Sequence, residues 1–290
     1  MKLALCQLSP TLGDVERNLE QVAEAVSRAE RADADVALFP ELALTGYRLR
    51  DLVPHVAVTL ERPHPVAARL AEISRMLPLA IGLVEESTEH RFFNAAAYFE
   101  DGRLVHVHRK CYLPTYGMFD ERMDFSPGER LRCLTSPRFG RVGILICEDV
   151  WHPAASTVLT QAGATMIWAL SASPLRGLGA GGEGMLSSDS WRELVRTMAR
   201  FHTVPVAYVN RAGYEDGVAF AGGSFVAGPG GEILAEAEPL ETDVLLVDVD
   251  PEATRRARAA YPLVRDERPI LIARELERIV RLRAGEGPRR

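Results

Sequence analysis

Apolar positions along the chain fall into short blocks of two different periods. Residues 2–8, KLALCQL, read as a strand from the outset. Asp14 then precedes a stretch in which Val15, Leu19, Val22, Ala23 and Val26 share one face at helical spacing, which predicts a helix capped by Asp14. A short apolar strand over 36–39 stops at Pro40, a helix is expected around 65–76, and 79–85 is a strand. Blocks 92–99 and 104–108 flank Asp101-Gly102, a hairpin signal. Loop character runs from 110 to 130. Beyond it the pattern predicts a strand over 142–146, a helix from near Pro153, a strand over 165–170, a helix over 187–201 and a strand over 205–209. A second hairpin is expected over 222–235, turning at Gly228-Pro229-Gly230-Gly231, then a last strand over 244–249 and mostly helix after Pro251. Strands that both alternate with helices and pair as hairpins make a layered α/β fold with a mixed sheet.

Composition narrows this picture. The 290 residues are 47% hydrophobic and 26% charged, a globular balance, and no linker interrupts the pattern before the tail. No repeat at solenoid period is visible. A net charge of −6 argues against a general nucleic-acid surface. No stretch is apolar enough to span a bilayer and no basic leader precedes the first strand, so a cytoplasmic protein is expected, with no membrane or nucleic-acid partner. Cys6, Cys111, Cys133 and Cys147 form no CxxC pair, so neither a zinc framework nor a disulfide framework is expected.

Three apolar strands run out into reactive side chains: ALFP into Glu41, LVHVHR into Lys110 and VGILI into Cys147, followed by Glu148, Asp149 and Trp151. Sites in layered α/β folds gather where strands end. A cysteine is nucleophilic as thiolate, a lysine ammonium favours that form and can hold an oxyanion, and a glutamate can take the proton. The backbone N–H after Cys147 offers a second oxyanion donor. Each residue also has an ordinary reading: Cys147 as a small buried hydrophobe, Glu41 as a helix cap, Lys110 as a solvated side chain. His106 and His108 share a strand face but lack a third ligand, so no metal is expected. The glycine-rich stretch 177–184 lacks the order of a phosphate loop and reads as a mobile lid near the site.

The three segments FPELALTGY, HRKCYLPTYGMFDE and ILICEDVWHP, in that order, resemble the three catalytic motifs of the nitrilase (carbon–nitrogen hydrolase) superfamily. The resemblance extends from KLALCQLSPTLGD to GGSFVAGPGGEIL. It implies a four-layer α-β-β-α sandwich with mixed sheets, over a hydrolase domain at 1–250. It implies Glu41 as general base, Lys110 as oxyanion lysine, Cys147 as acyl-forming nucleophile and Glu121 as a second glutamate supporting the lysine. No cofactor is implied; the substrate is a small amide, cleaved through a thioester. Residues 251–290 form a helical extension whose apolar positions, among them Tyr261, Leu263, Ile270, Leu271, Ile272, Leu276 and Ile279, suggest a subunit interface. A homodimer or larger assembly is expected.

Within the superfamily, ELALTGY, LPTYGMFDE and CEDVW are most similar to the glutaminase domain of glutamine-dependent NAD synthetases. That likeness implies Tyr116 in substrate contact, although Tyr116 also reads as a packing aromatic, and Glu121 as a plain loop carboxylate. Glu148, Trp151 and Ser173 join it as candidate substrate-binding residues, with His152 in the nucleophile loop. The likeness weakens after Ser173-Pro174. A basic residue expected there is represented only by Arg176, one position before the glycine-rich run. No SGGxDS-type pyrophosphate loop occurs, and about 40 residues follow the last predicted strand, too few for an ATP-using module. The resulting expectation is a stand-alone glutaminase-like amidohydrolase. The alternatives are a subunit supplying ammonia to a separate synthetase, or a non-catalytic interaction protein.

Overall fold

The computed structural model describes residues 1–176 and 186–284. Two six-stranded mixed sheets lie at its centre. The first is built from β1 (Lys2–Gln7), β2 (Val36–Leu38), β3 (Leu79–Glu86), β4 (Phe92–Glu100) and β5 (Arg103–Arg109). The second holds β6 (Leu134–Ser136), β7 (Gly140–Ile146), β8 (Met166–Ser171) and β9 (Val206–Asn210). After β9 a separate two-stranded ribbon forms from β10 (Ala212–Glu215) and β11 (Val218–Ala221). The second sheet then gains β12 (Phe225–Ala227) and β13 (Ile233–Glu236), and the first gains β14 (Asp243–Asp248).

Strand order is β14-β1-β2-β3-β4-β5 in one sheet and β6-β7-β8-β9-β12-β13, read from its opposite edge, in the other. Each sheet has an antiparallel edge strand, three parallel strands and an antiparallel pair. The sequence carries no repeat, yet the architecture is duplicated. Period-two alternation explains the layering. Leu3, Leu5, Val36 and Leu38 enter one core with Ile144, Ile146 and Trp168, between the sheets. Their neighbours Ala4, Cys6 and Ala37 face the other way, against Leu19, Val22 and Val26 of the helix Val15–Arg31 and Leu70 and Ile73 of the helix Pro65–Ile73. The helices Pro153–Gln161 and Leu186–His202 cover the second sheet. The result is an α-β-β-α sandwich, as the resemblance implies.

Local signals hold in detail. Asp14 caps the first helix by accepting a hydrogen bond from the Arg17 N–H. Asp101 and Gly102 both adopt positive φ, as a two-residue hairpin turn requires. Departures from the periodic reading are local. The expected loop at 110–130 contains a helical turn, Glu121–Asp124. The short strand β6 and the β10–β11 ribbon carry too few residues to show a period. The expected glycine-rich lid lies outside the described residues. Among those residues, no helix is long and apolar enough to cross a membrane.

Candidate active site

The ends of β2, β5 and β7 converge. Glu41 follows β2 and is fully buried. Its Oε1 accepts hydrogen bonds from Lys110 Nζ (2.7 Å) and Asn94 Nδ2 (2.7 Å), and its Oε2 accepts the Ala172 N–H at 2.8 Å. The last bond comes from the chain just after β8, so one carboxylate ties the two sheets together. Gly82 makes room for this loop: a Cβ there would stand 2.4 Å from the Pro40 oxygen and the Leu42 nitrogen.

Lys110, immediately after β5, also donates to Glu121 Oε1 at 2.7 Å. Burial acts to lower its pKa, but Glu121 and Glu41 outweigh that and hold the ammonium well above the usual lysine range. Glu121 is pushed up to about 7: burial raises it, Lys110 opposes and Glu41 adds to the rise. A buried lysine held between two buried carboxylates is a fixed cation, suited to a charge that develops nearby.

Cys147 begins the turn after β7 and adopts a positive φ of 43°, unusual for a residue with a Cβ. Burial drives its thiol well above the ordinary range. Glu41 raises it further, and Lys110 only partly opposes this. Burial and the Glu41 charge thus favour the protonated form of the thiol. Lys110 favours the thiolate, as its charge leads one to expect, but burial and the glutamate charge act more strongly the other way.

The turn is set by Asp149, fully buried. Its Oδ1 accepts the N–H groups of Cys111 (2.9 Å) and Tyr112 (3.0 Å). Its Oδ2 accepts the Ile146 N–H (3.1 Å) and faces His108 Nε2 at 2.8 Å. One side chain thus fixes the nucleophile turn to the segment that presents Lys110. The sequence shows Asp149 only as a carboxylate two positions after Cys147. Asn94 was missed too, although a polar residue inside FFNAAAYFE was its signal. His108, Cys111 and Asp149 bring ligand-type atoms within 4.8 Å of one another. Their hydrogen bonds to backbone and to each other already engage those atoms, which makes the cluster a clamp.

A pocket of about 310 Å³ opens over Cys147 and is lined by Tyr116, Glu148, Trp151, Ser173 and Arg176, among others. All four expected substrate-contact residues therefore share one cavity with Cys147. Tyr116 donates to Glu148 Oε2 at 2.8 Å. Ser173 Oγ accepts from Trp191 Nε1 at 2.7 Å, and Trp191 packs edge-on against Trp151. Arg176 lies over the Phe119 ring at 4.8 Å. His152 does not line the pocket; it stacks on Tyr112 at 3.7 Å. A larger cleft, about 520 Å³, runs along β5, but Cys147 is not among its lining residues.

Fold and site together define a class of enzyme: an α-β-β-α sandwich with a cysteine, a lysine and a glutamate gathered at the strand ends and a second glutamate supplied by a helical turn. The carbon-nitrogen hydrolase family profile matches residues 2–259, and the chain belongs to that family, within the nitrilase superfamily, as a hydrolase of carbon–nitrogen bonds. It is 35% identical over 265 residues to a glutamine-dependent NAD(+) synthetase of Thermotoga maritima, covering 90% of this chain and 44% of that protein. The chain therefore spans under half the length of that relative. It is 28% identical to the N-carbamoylputrescine amidase of Arabidopsis thaliana, covering 89% of each. A similar solved structure, TM-score 0.78 and 26% identity over 94% of this chain and 96% of the other, is an amidase from Nesterenkonia sp. AN1. It shows covalent addition of the acetamide moiety of fluoroacetamide at its active-site cysteine.

Proposed function

We propose that this protein hydrolyses the side-chain amide of a small zwitterionic substrate of the glutamine type, through a thioester on Cys147. The observation that carries the reading is the buried Glu41–Lys110–Glu121 array, whose charges act on the Cys147 thiol at the floor of the pocket. Glu41 takes the thiol proton as sulfur attacks the amide carbon. The resulting oxyanion is stabilised by Lys110. Collapse of the tetrahedral adduct breaks the C–N bond, and Glu41 returns the proton to the departing nitrogen, releasing ammonia. Water then attacks the thioester, losing a proton to Glu41, and the acid leaves as the thiol is restored.

Substrate choice follows from opposite charges on one cavity. Glu148 suits an ammonium and Arg176 a carboxylate, with Trp151 and Ser173 completing the walls. The likeness to glutamine-dependent NAD(+) synthetases agrees with an amide donor of this kind. It also favours a second reading, in which the released ammonia feeds a separate synthetase. The panel that tests both contains glutamine, other ω-amides, N-carbamoyl amines and nitriles, scored by ammonia release and by the mass of the acyl-enzyme. Glutamine turnover with an adduct on Cys147 supports the proposal. Turnover of N-carbamoyl amines alone overturns the substrate, and adducts on another residue overturn the mechanism.

The proposal includes assembly. We assign residues 1–250 to the hydrolase domain and 251–290 to an extension that contacts a second copy. The helix Pro269–Arg283 exposes Ile270, Leu271, Ile272, Leu276, Ile279 and Val280, an apolar surface that a monomer leaves in water. Light scattering that finds a monomer at micromolar concentration overturns this assignment.

A further inference from the structure

We propose that Tyr47 is a positioning residue for the reaction, holding Glu121 against Lys110, and that the buried Arg211–Glu215 pair beneath it sets its place. The Tyr47 hydroxyl donates to Glu121 Oε1 at 2.5 Å, the same oxygen that accepts from Lys110 Nζ. Glu121 therefore has its oxygen fixed from two sides, by a phenol and by the ammonium. The tyrosine is itself tied down. Its N–H donates to Glu215 Oε1 at 2.9 Å, and the Arg48 N–H donates to the same oxygen at 2.7 Å. The ring lies edge-on to Phe220 and Phe119.

Glu215 ends β10 and pairs with Arg211, whose side chain is fully buried and stacks over the Phe220 ring at 4.0 Å. The chain at Gly46 is shaped to this carboxylate: φ is +78°, and a Cβ would stand 2.6 Å from Glu215 Oε2. A buried ion pair is a poor way to gain stability, because desolvation offsets its attraction. Its backbone bonds to Tyr47 and Arg48 give this one a different use. The same ribbon also carries the pocket wall, since the Leu175 N–H donates to the Ala219 oxygen and the Ala221 N–H to the Ser173 oxygen. One hairpin thus registers the lysine cluster and the substrate wall together.

The charged and titratable groups facing Glu121 are Lys110, Glu41, Tyr47 and the Cys147 thiol. The tyrosine hydroxyl and the ammonium stabilise the carboxylate form; burial and Glu41 oppose it. Removing the hydroxyl must raise the proton affinity of Glu121, and a charge-assisted bond of this length corresponds to roughly one pH unit. Glu121 also acts on the Cys147 thiol, so the reactivity of that thiol reports its ionisation.

This inference rests on the proposed roles of Cys147, Lys110 and Glu121. Its test reads the thiol directly, whether or not glutamine proves to be the substrate. The rate of Cys147 alkylation by iodoacetamide is measured by mass spectrometry from pH 5 to 9 (a window of about two units around the Glu121 transition,). Wild type, Tyr47→Phe, Glu121→Gln and the double variant are compared, with melting curves to confirm folding. Tyr47→Phe keeps the ring packing, and its inflection is expected about one unit higher than wild type. In the Glu121→Gln background that inflection is absent, and adding Tyr47→Phe changes the rate less than about twofold. An unshifted inflection in a folded Tyr47→Phe protein overturns the proposal. So does a Tyr47→Phe effect of equal size with and without the Glu121 carboxylate, which a purely structural role produces. Where an amide substrate is turned over, Tyr47→Phe lowers kcat about tenfold with KM within about twofold; a change confined to KM places Tyr47 in substrate binding and overturns the positioning role.

Discussion

The two sheets share a plan and divide the chemistry. The first delivers the charged machinery, Glu41 after β2 and Lys110 after β5. The second delivers the thiol after β7 and the pocket wall after β8. Neither sheet holds a working set alone. Their contact is an apolar core between the sheets plus a few polar crossings, one of which, the bond from Ala172 N–H to Glu41 Oε2, reaches the proposed base. Duplicated architecture with unlike strand ends lets one half hold charge rigidly while the other is shaped around substrate. The site then depends on the registration of two layers more than on any one loop.

That division is most sharply broken at the thiol. Cys147→Ala leaves the lysine cluster intact and is expected to reduce amide turnover by at least about four orders of magnitude, read as loss of both ammonia release and acyl-enzyme mass. A variant retaining wild-type rates places the nucleophile elsewhere. On the other sheet, Lys110→Met removes one oxyanion donor, an effect of about 3–4 kcal/mol, and slows single-turnover acylation by a factor of hundreds. Glu41→Gln slows the same step by removing the proton acceptor, by roughly 10²–10⁴. Acylation undisturbed in both variants shifts the chemistry wholly onto the second sheet.

Smaller effects sharpen the comparison. Gly82→Ala forces a methyl group into the Glu41 loop and is expected to destabilise the protein by about 1–3 kcal/mol in urea unfolding while misplacing the base. The Glu121 pKa, raised from 4.5 to about 7, gives a signed stability effect. Folding takes up a proton at this group, so its contribution is fully present below pH 4.5 and is lost as pH rises through about 7. Glu121→Gln removes that decline. Unfolding curves for the two proteins that stay parallel from pH 4.5 to 7 contradict the shift.

Much of this was legible in the sequence, for definite reasons. Long alternating or helical blocks announced β1, β3, β4 and the first helix, because burial on one face imposes a period. Three motifs placed Glu41, Lys110 and Cys147 at strand ends, and Glu121, Tyr116, Glu148, Trp151 and Ser173 beside them. What stayed hidden was contact across sequence distance. Nothing next to Asp149 says that it caps Cys111 and Tyr112, and nothing next to Tyr47 says that Glu215 lies beneath it. The duplication of the sheets was invisible too, since hydrogen-bond order can repeat without any repeated residue.

The pairing of β1 with β14 has a consequence for how the molecule forms. Residues 2–7 align with residues 243–248, so the first sheet gains its edge only after nearly the whole chain has been gathered. The parallel strands β7, β8 and β9 of the second sheet are neighbours in the chain and close much shorter loops. Chain-closure entropy therefore makes the β1–β14 pairing a late step, after the locally connected strands of both sheets. Backbone amides of β7 and β8 are accordingly expected to gain protection from hydrogen exchange during refolding before those of β14.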